Sequence, residues 1–202
     1  MHIDTGAMYR AMTLKVLEQK IDVNDIERIG RLAEETEIRL RRDGSELQVL
    51  LHNQDVTKKI RSQVVSNAVS AVSSVPKVRE VMVREQRKMG KDGGIVLEGR
   101  DIGTVVFPDA DVKIFMVANV EERARRREKE LRQAGTAVEL EKLKKEIIER
   151  DRQDSERSLS PLRQADDAIV LDTSNMTIEK QVDFIVNKAK EILKSAAGGE
   201  KV

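Results

Sequence analysis

The sequence predicts an α/β fold: a parallel sheet with helices on both faces and a small antiparallel lobe inserted into it. Three observations carry this prediction. The apolar runs Ile95–Leu97, Val112–Val117 and Ala168–Asp172 have strand length and lack polar alternation, the pattern of strands buried on both faces. Helix-period segments separate these runs, which is the alternation that builds a parallel sheet. Around Asp43-Gly44 the period drops to two, marking a hairpin that does not fit the alternation and reads as the insert.

The elements follow in order. Ala7–Leu17 has apolar residues at 8, 11, 12, 14, 16 and 17, a mostly buried helix with Asp4 or Thr5 as its N-cap. A second helix, Asn24–Glu35, carries Ile26, Ile29, Leu32 and Ala33 at helical spacing. Strands Glu37–Arg42 and Glu46–Leu51 flank the Asp43-Gly44 turn. Helical segments Asp55–Ser74 and Pro76–Met89 follow, with Pro76 in a favoured first-turn position. Lys91-Asp-Gly-Gly94 breaks the chain before the strand at Ile95. Two densely charged helices, Val120–Gln133 and Glu139–Asp154, join at Gly135. Thr177 caps a last amphipathic helix ending near Leu193, and Ala196-Ala-Gly-Gly199 reads as a frayed tail. There is no internal repeat.

Composition narrows the function. The 202 residues are 39% hydrophobic, enough for one good core. Aromatic residues are 2% of the chain, with no Trp and one Tyr, too few for a base-stacking platform on single-stranded nucleic acid. The 37 basic and 36 acidic residues leave a net charge of +1, so a small anionic ligand is expected rather than a nucleic acid. With no Cys there is no disulfide, thiolate metal site or cysteine nucleophile, and His2 and His52 have no partner at metal-ligand spacing. No apolar run has membrane-span length and Met1-His-Ile-Asp4 lacks signal-peptide features, so the expectation is a soluble cytoplasmic protein that does not bind membranes.

Two places concentrate chemistry. Leu97-Glu-Gly-Arg-Asp-Ile-Gly-Thr-Val-Val-Phe-Pro108 presents Arg100 and Asp101 on a glycine-flanked turn beyond a strand's carboxyl end, where open α/β sheets bind ligands. A guanidinium there suits a phosphate; the pair also suits a surface salt bridge. Arg150, Asp154 and Arg157 fall within roughly 60° of one helix face, an acid between two arginines. A solvated charge ladder is the alternative, since Asp151, Arg152 and Glu156 lie nearby. The same ambiguity holds for Glu121-Glu-Arg-Ala-Arg-Arg-Arg127, whose few apolar positions also suit a mobile lid over phosphates. Asp4-Thr-Gly and Asp172-Thr-Ser raise an aspartic-peptidase reading, but those folds are all-β and Asp4 opens a helix.

Taken together, Asp4-Thr-Gly-Ala-Met-Tyr-Arg10, the Leu97–Pro108 stretch, Glu121–Arg127, Glu149-Arg-Asp-Arg-Gln-Asp-Ser-Glu-Arg157 and Ser160-Pro-Leu162 resemble bacterial cytidylate kinases in order and spacing, from Ile3 to about Leu193. The resemblance implies a P-loop-kinase-like fold and transfer of the ATP γ-phosphate to CMP or dCMP. It implies MgATP as donor, no permanently bound cofactor or metal, and a monomer acting on small nucleotides. It places Thr5, Tyr9 and Arg10 at the acceptor nucleotide, with Arg10 on its phosphate. Ser70 and Asp101 would read the cytosine edge, Arg100 would lie against the acceptor, and Arg79 would be a second phosphate-binding arginine. Arg150 and Asp154 would lie on the ribose side with Arg157 at the phosphates, and Arg126 among the lid arginines over ATP. The catalytic arginines would be Arg126, Arg150 and Arg157. The implied layout is core over 1–36, monophosphate-binding insert over 37–75, core over 76–122, lid over 123–160, core over 161–195 and a flexible tail over 196–202.

One part of the family pattern is not matched. Its members open on a strand and a G-x-x-x-x-G-K-[ST] loop that cradles ATP. The nearest stretch here, Gly94-Ile-Val-Leu-Glu-Gly-Arg-Asp101, differs at the Lys and Ser/Thr positions. The expectation is therefore a chain lacking the first strand and P-loop, impaired as a kinase and exposing strand edges. The alternative is a non-catalytic CMP-binding remnant.

Overall fold

In the computed structural model, which describes residues 2–44, 46–133 and 135–198, the chain forms two units instead of one core. The first holds residues up to Val106 with Glu156–Leu162, and the second holds Phe107–Ser155 with the chain from Arg163 onward.

The first unit begins with strand β1 (His2–Asp4) and helix α1 (Thr5–Glu18), started by Asp4, whose Oδ1 accepts from Ala7 N at 2.9 Å. Asp4 is thus the cap, and Thr5 lies inside the helix. Helix α2 (Ile26–Glu35) is capped the same way by Asp25. Strands β2 (Ile38–Asp43) and β3 (Glu46–Leu51) form the expected antiparallel hairpin, with Gly44 at φ +59°, and β4 (Gln54–Asp55) extends it. The helix expected from Asp55 is present as a 3₁₀ turn over Lys59–Arg61 and becomes α-helical at Gln63, as α3 (Gln63–Ser74). The preceding residues are claimed by the hairpin, since Asp55 accepts from Thr57 N and Thr57 Oγ1 accepts from Val49 N, both at 2.9 Å. Helix α4 (Pro76–Met89) has Pro76 in its first turn. Strand β5 (Val96–Glu98) leads through Gly99-Arg100-Asp101 into a π-helical segment, Ile102–Val106, that the sequence pattern does not reveal.

Met8 and Met12 from α1, Ile29 from α2, Val49 and Leu51 from the hairpin, Val72 from α3 and Val78 and Met82 from α4 share one buried core. Each such side chain contributes about 1.5–3 kcal/mol by burial. A short hairpin is marginal alone, and packing its apolar face on α1 is what stabilises it.

The second unit pairs β6 (Ile114–Val117) with β7 (Ile169–Asp172) and adds helices α5 (Val120–Gln133), α6 (Leu140–Glu156) and α7 (Ile178–Gly198). Helix α7 continues past the expected end at Leu193. Of the tail expected over 196–202, residues 199–202 lie outside the described residues.

Both strand pairs, β1 with β5 and β6 with β7, are parallel, as expected. Some strand positions nevertheless stay exposed: Val96 is 66% exposed, Met116 51% and Val170 50%. Among the described residues each parallel pair carries no third strand; the exposed Val96 shares its face of β1–β5 with His2, whereas Met116 and Val170 lie on opposite faces of β6–β7.

Gly99 couples this framework to the turn after β5. A Cβ there would collide with Thr5 Oγ1 and lie 2.8 Å from Ile102 Cδ1. Gly99→Ala should therefore lower the stability of this unit by about 1–3 kcal/mol, read as a lower urea midpoint at unchanged slope.

Candidate active site

β1 and β5 end side by side at Asp4 and Glu98. These are carboxyl ends of parallel strands, where α/β folds place ligands. Thr5 Oγ1 donates to Glu98 O at 2.6 Å and ties the two strand ends together. One turn further along α1, Tyr9 is buried beneath Arg79, whose guanidinium carbon lies 5.4 Å from the ring centroid. That distance is within range of a cation–π contact. Arg79 Nη2 pairs with the Asp101 carboxylate, both side chains only 5% exposed, and Nη1 donates to Ser73 O at 3.3 Å.

The neighbours Arg100 and Asp101 thus separate. Arg100 is exposed, while Asp101 is buried against an arginine 22 residues away in sequence, so Asp101 is no surface ion pair. Arg79 Nε, buried here, makes no hydrogen bond, and the Tyr9 hydroxyl and Gln86 amide have none beyond their contact with each other. Leaving such groups unmatched costs about 1–3 kcal/mol each. Gln86 and Arg87 escaped sequence reasoning. The usable signal for Gln86 was a polar residue seven positions after Arg79, in the apolar stripe of α4.

Arg10, next to Tyr9, points elsewhere: its Nη1 donates to Ser66 Oγ at 2.8 Å and Ile60 O at 3.4 Å. Ser70 is half-buried on α3, and its carbonyl accepts from Ser73 Oγ at 3.1 Å. Arg157 does not share a helix face with Arg150 and Asp154, because α6 ends at Glu156. The chain turns there, with Arg157 Nε donating to Ser160 O at 2.7 Å and Ser160 at φ +47°.

In the second unit, Arg126 binds the end of β7: Nη2 donates to Thr173 O at 2.6 Å, Nη1 to Thr173 Oγ1 at 3.3 Å and Nε to Glu122 at 2.9 Å. Arg123 grips Asp151 with both terminal nitrogens, at 3.0 and 2.5 Å, and Lys144 pairs with Glu121, holding that carboxyl below its ordinary range. Asp154 is buried, 4.0 Å from Arg150 Nε, whereas Arg152 pairs with Glu149 on the solvent side. Asp4 and Asp172 each accept a local backbone N–H, from Ala7 and Ser174, as turn-forming carboxylates do rather than a catalytic dyad. Among the described residues no group of three His, Asp or Glu is arranged to hold a metal ion, and no helix is long and apolar enough to cross a membrane.

Burial pushes the Tyr9 phenol up to about 12 from 10.0; Arg79 pulls it down, Asp101 pushes it further up, and Arg157 and the Gln86 side chain lower it. Tyr9 is the chain's one tyrosine, so ultraviolet titration reads it alone. The folded chain should ionise near pH 12, and unfolding in urea should return the midpoint to about 10.0. Between those values the unfolded chain releases a proton that the folded chain keeps, so this contribution to stability is whole below pH 10.0 and is lost as pH rises toward 12. Replacing Asp101 by Ala strands a buried guanidinium and should cost about 3–5 kcal/mol in urea unfolding. Arg100→Ala should stay within about 0.5 kcal/mol.

Comparison with known proteins gives the family. The family model described as cytidylate kinase matches residues 1–191. A cytidylate kinase of Lactococcus lactis subsp. lactis is 48% identical over 192 residues, covering 95% of this chain and 86% of that protein. One from Streptococcus suis is 52% identical over 194 residues, with 95% and 86% covered, and one from Bacillus pumilus is 48% identical over 193 residues, with 96% and 86% covered. With half of its residues shared across nearly its whole length, this chain belongs to the cytidylate kinase family.

Proposed function

We propose that this chain serves transfer of the γ-phosphoryl group of MgATP to CMP or dCMP, giving CDP or dCDP, as a cytoplasmic monomer acting on small nucleotides. The observation that carries this reading is the buried cluster of Tyr9, Arg79 and Asp101 beyond the ends of β1 and β5. A carboxylate is an acceptor only, so Asp101 suits the amino group of cytosine and disfavours the oxygen that uracil carries there. The buried Arg79 Nε, which makes no hydrogen bond, is available for a further polar contact with a bound acceptor.

In the reaction, an oxygen of the acceptor phosphate attacks the γ-phosphorus in line. The bond to the bridging β–γ oxygen breaks, and ADP leaves with that electron pair. No protein nucleophile is required, and the work is positioning and charge neutralisation. We assign Thr5, Arg10, Ser70 and Arg100 to the acceptor, within an insert over 37–75 and the adjoining core. Arg126 and Arg157 are assigned to the phosphates, and Arg150 and Asp154 to the ribose side. Residues 123–160 act as the lid, and an α5–α6 hairpin held by Arg123–Asp151 and Lys144–Glu121, with Ala124 and Leu143 buried, suits a segment that moves.

Residues 1–202 contain no G-x-x-x-x-G-K-[ST] stretch to cradle ATP, and slow turnover by these 202 residues alone is part of the proposal. That observation also favours the second reading, a module that binds CMP without phosphorylating it. Calorimetry and a coupled ADP assay separate the two. CMP binding with slow but measurable CDP formation supports the first; CMP binding with no CDP at any enzyme concentration supports the second. No CMP binding overturns both. Arg157→Ala should weaken CMP binding by about tenfold or more, as expected for a charged hydrogen bond to phosphate, whereas Arg152→Ala, paired with Glu149 on the surface, should leave it unchanged.

A further inference from the structure

Helix α4 grips the segment after β5 at two points. Arg79 holds the Asp101 carboxylate. Two turns later, Arg87 Nη2 donates to Val105 O at 2.7 Å and Nε to Val106 O at 3.0 Å. Eight residues separate the two arginines, about 12 Å along the helix axis. Between the two grips the backbone is the π-helical segment, in which Val105 N and Val106 N both donate to Asp101 O, at 2.9 and 3.2 Å.

This arrangement forms a closed circuit. The two residues whose carbonyls Arg87 holds are the two whose amides hold the main chain of Asp101. A π-turn is a rare geometry that occurs mostly at functional sites. Its last carbonyls lack helical donors, and the planar fork of a guanidinium supplies two at once. Arg87 is itself exposed, so core packing does not account for its placement.

We propose that Arg87 is a positioning residue for recognition of the acceptor base: by holding the carbonyls of Val105 and Val106 it fixes the π-helical segment and, through it, the direction of the Asp101 carboxylate. This rests on the reading of Asp101 as the group that faces the cytosine amino group. A carboxylate held in one direction separates an amino group from a carbonyl oxygen. One that swings with its backbone loses that discrimination.

The test uses the 202-residue chain and needs no turnover. CMP and UMP are titrated calorimetrically into the wild type, Arg87→Gln and Arg87→Lys, with circular dichroism melts as the check on folding. Hydrogen exchange is followed at the Val105 and Val106 amides. Arg87→Gln should remain folded, speed exchange at both amides and lower the CMP-over-UMP affinity ratio by about tenfold, mainly by weakening CMP. Arg87→Lys should restore part of the ratio, since an ammonium lacks the planar fork that meets two carbonyls together. An unchanged ratio in folded Arg87→Gln overturns the proposal, whether or not exchange accelerates. A wild type that does not prefer CMP overturns the acceptor reading itself, a failure visible before any variant is compared.

Discussion

The buried contact between Arg79 and Asp101 is the constraint around which the first unit is arranged. Both groups are almost fully withdrawn from water, which is costly for each ion taken alone. The arrangement holds because every neighbouring element contributes: α1 lays the Tyr9 ring beneath the guanidinium, the end of α3 offers Ser73 O, and the segment after β5 supplies the carboxylate. A buried pair of this kind is weak evidence for stability, since an apolar pair of the same volume often serves as well. Its placement beyond two parallel strand ends is what makes it a candidate site.

The second unit uses its charges differently. Helix α5 has one buried residue, Ala124, and α6 has Leu143 and Asp154, so their association depends on ion pairs more than on apolar burial. Partly exposed pairs contribute little each and are screened by salt. Few apolar contacts therefore hold this hairpin together. Arg126, however, is anchored on Thr173 at the end of β7, which fixes the base of that hairpin to the strand pair of its own unit.

Much of the fold was legible because periodicity is local. The Asp43-Gly44 hairpin, the Pro76 helix start and the parallel sense of the strands all follow from patterns a few residues long. Three features were not legible, each for a physical reason. The stretch from Asp55 to Ser62 has helical composition, yet Thr57 is drawn back to Val49. The π-helical turn meets its guanidinium donor in Arg87, 18 residues away. Arg157 keeps helical spacing from Arg150 in sequence, but the helix stops one residue before it.

By itself the sequence determined which residue types could meet a nucleotide: Tyr9, the arginines and the acids at 101 and 154, in an order specific enough to identify the family. Only the tertiary structure decided how they are used. Asp101 was drawn beside Arg100 by adjacency, but consecutive residues in a turn point in different directions, and the buried partner proved to be Arg79 on another helix. Long-range pairing of this kind depends on how helices pack, which no local pattern encodes. The same holds for Gln86 and Arg87, ordinary polar residues on α4 until packing brings one into the core and the other onto two main-chain carbonyls.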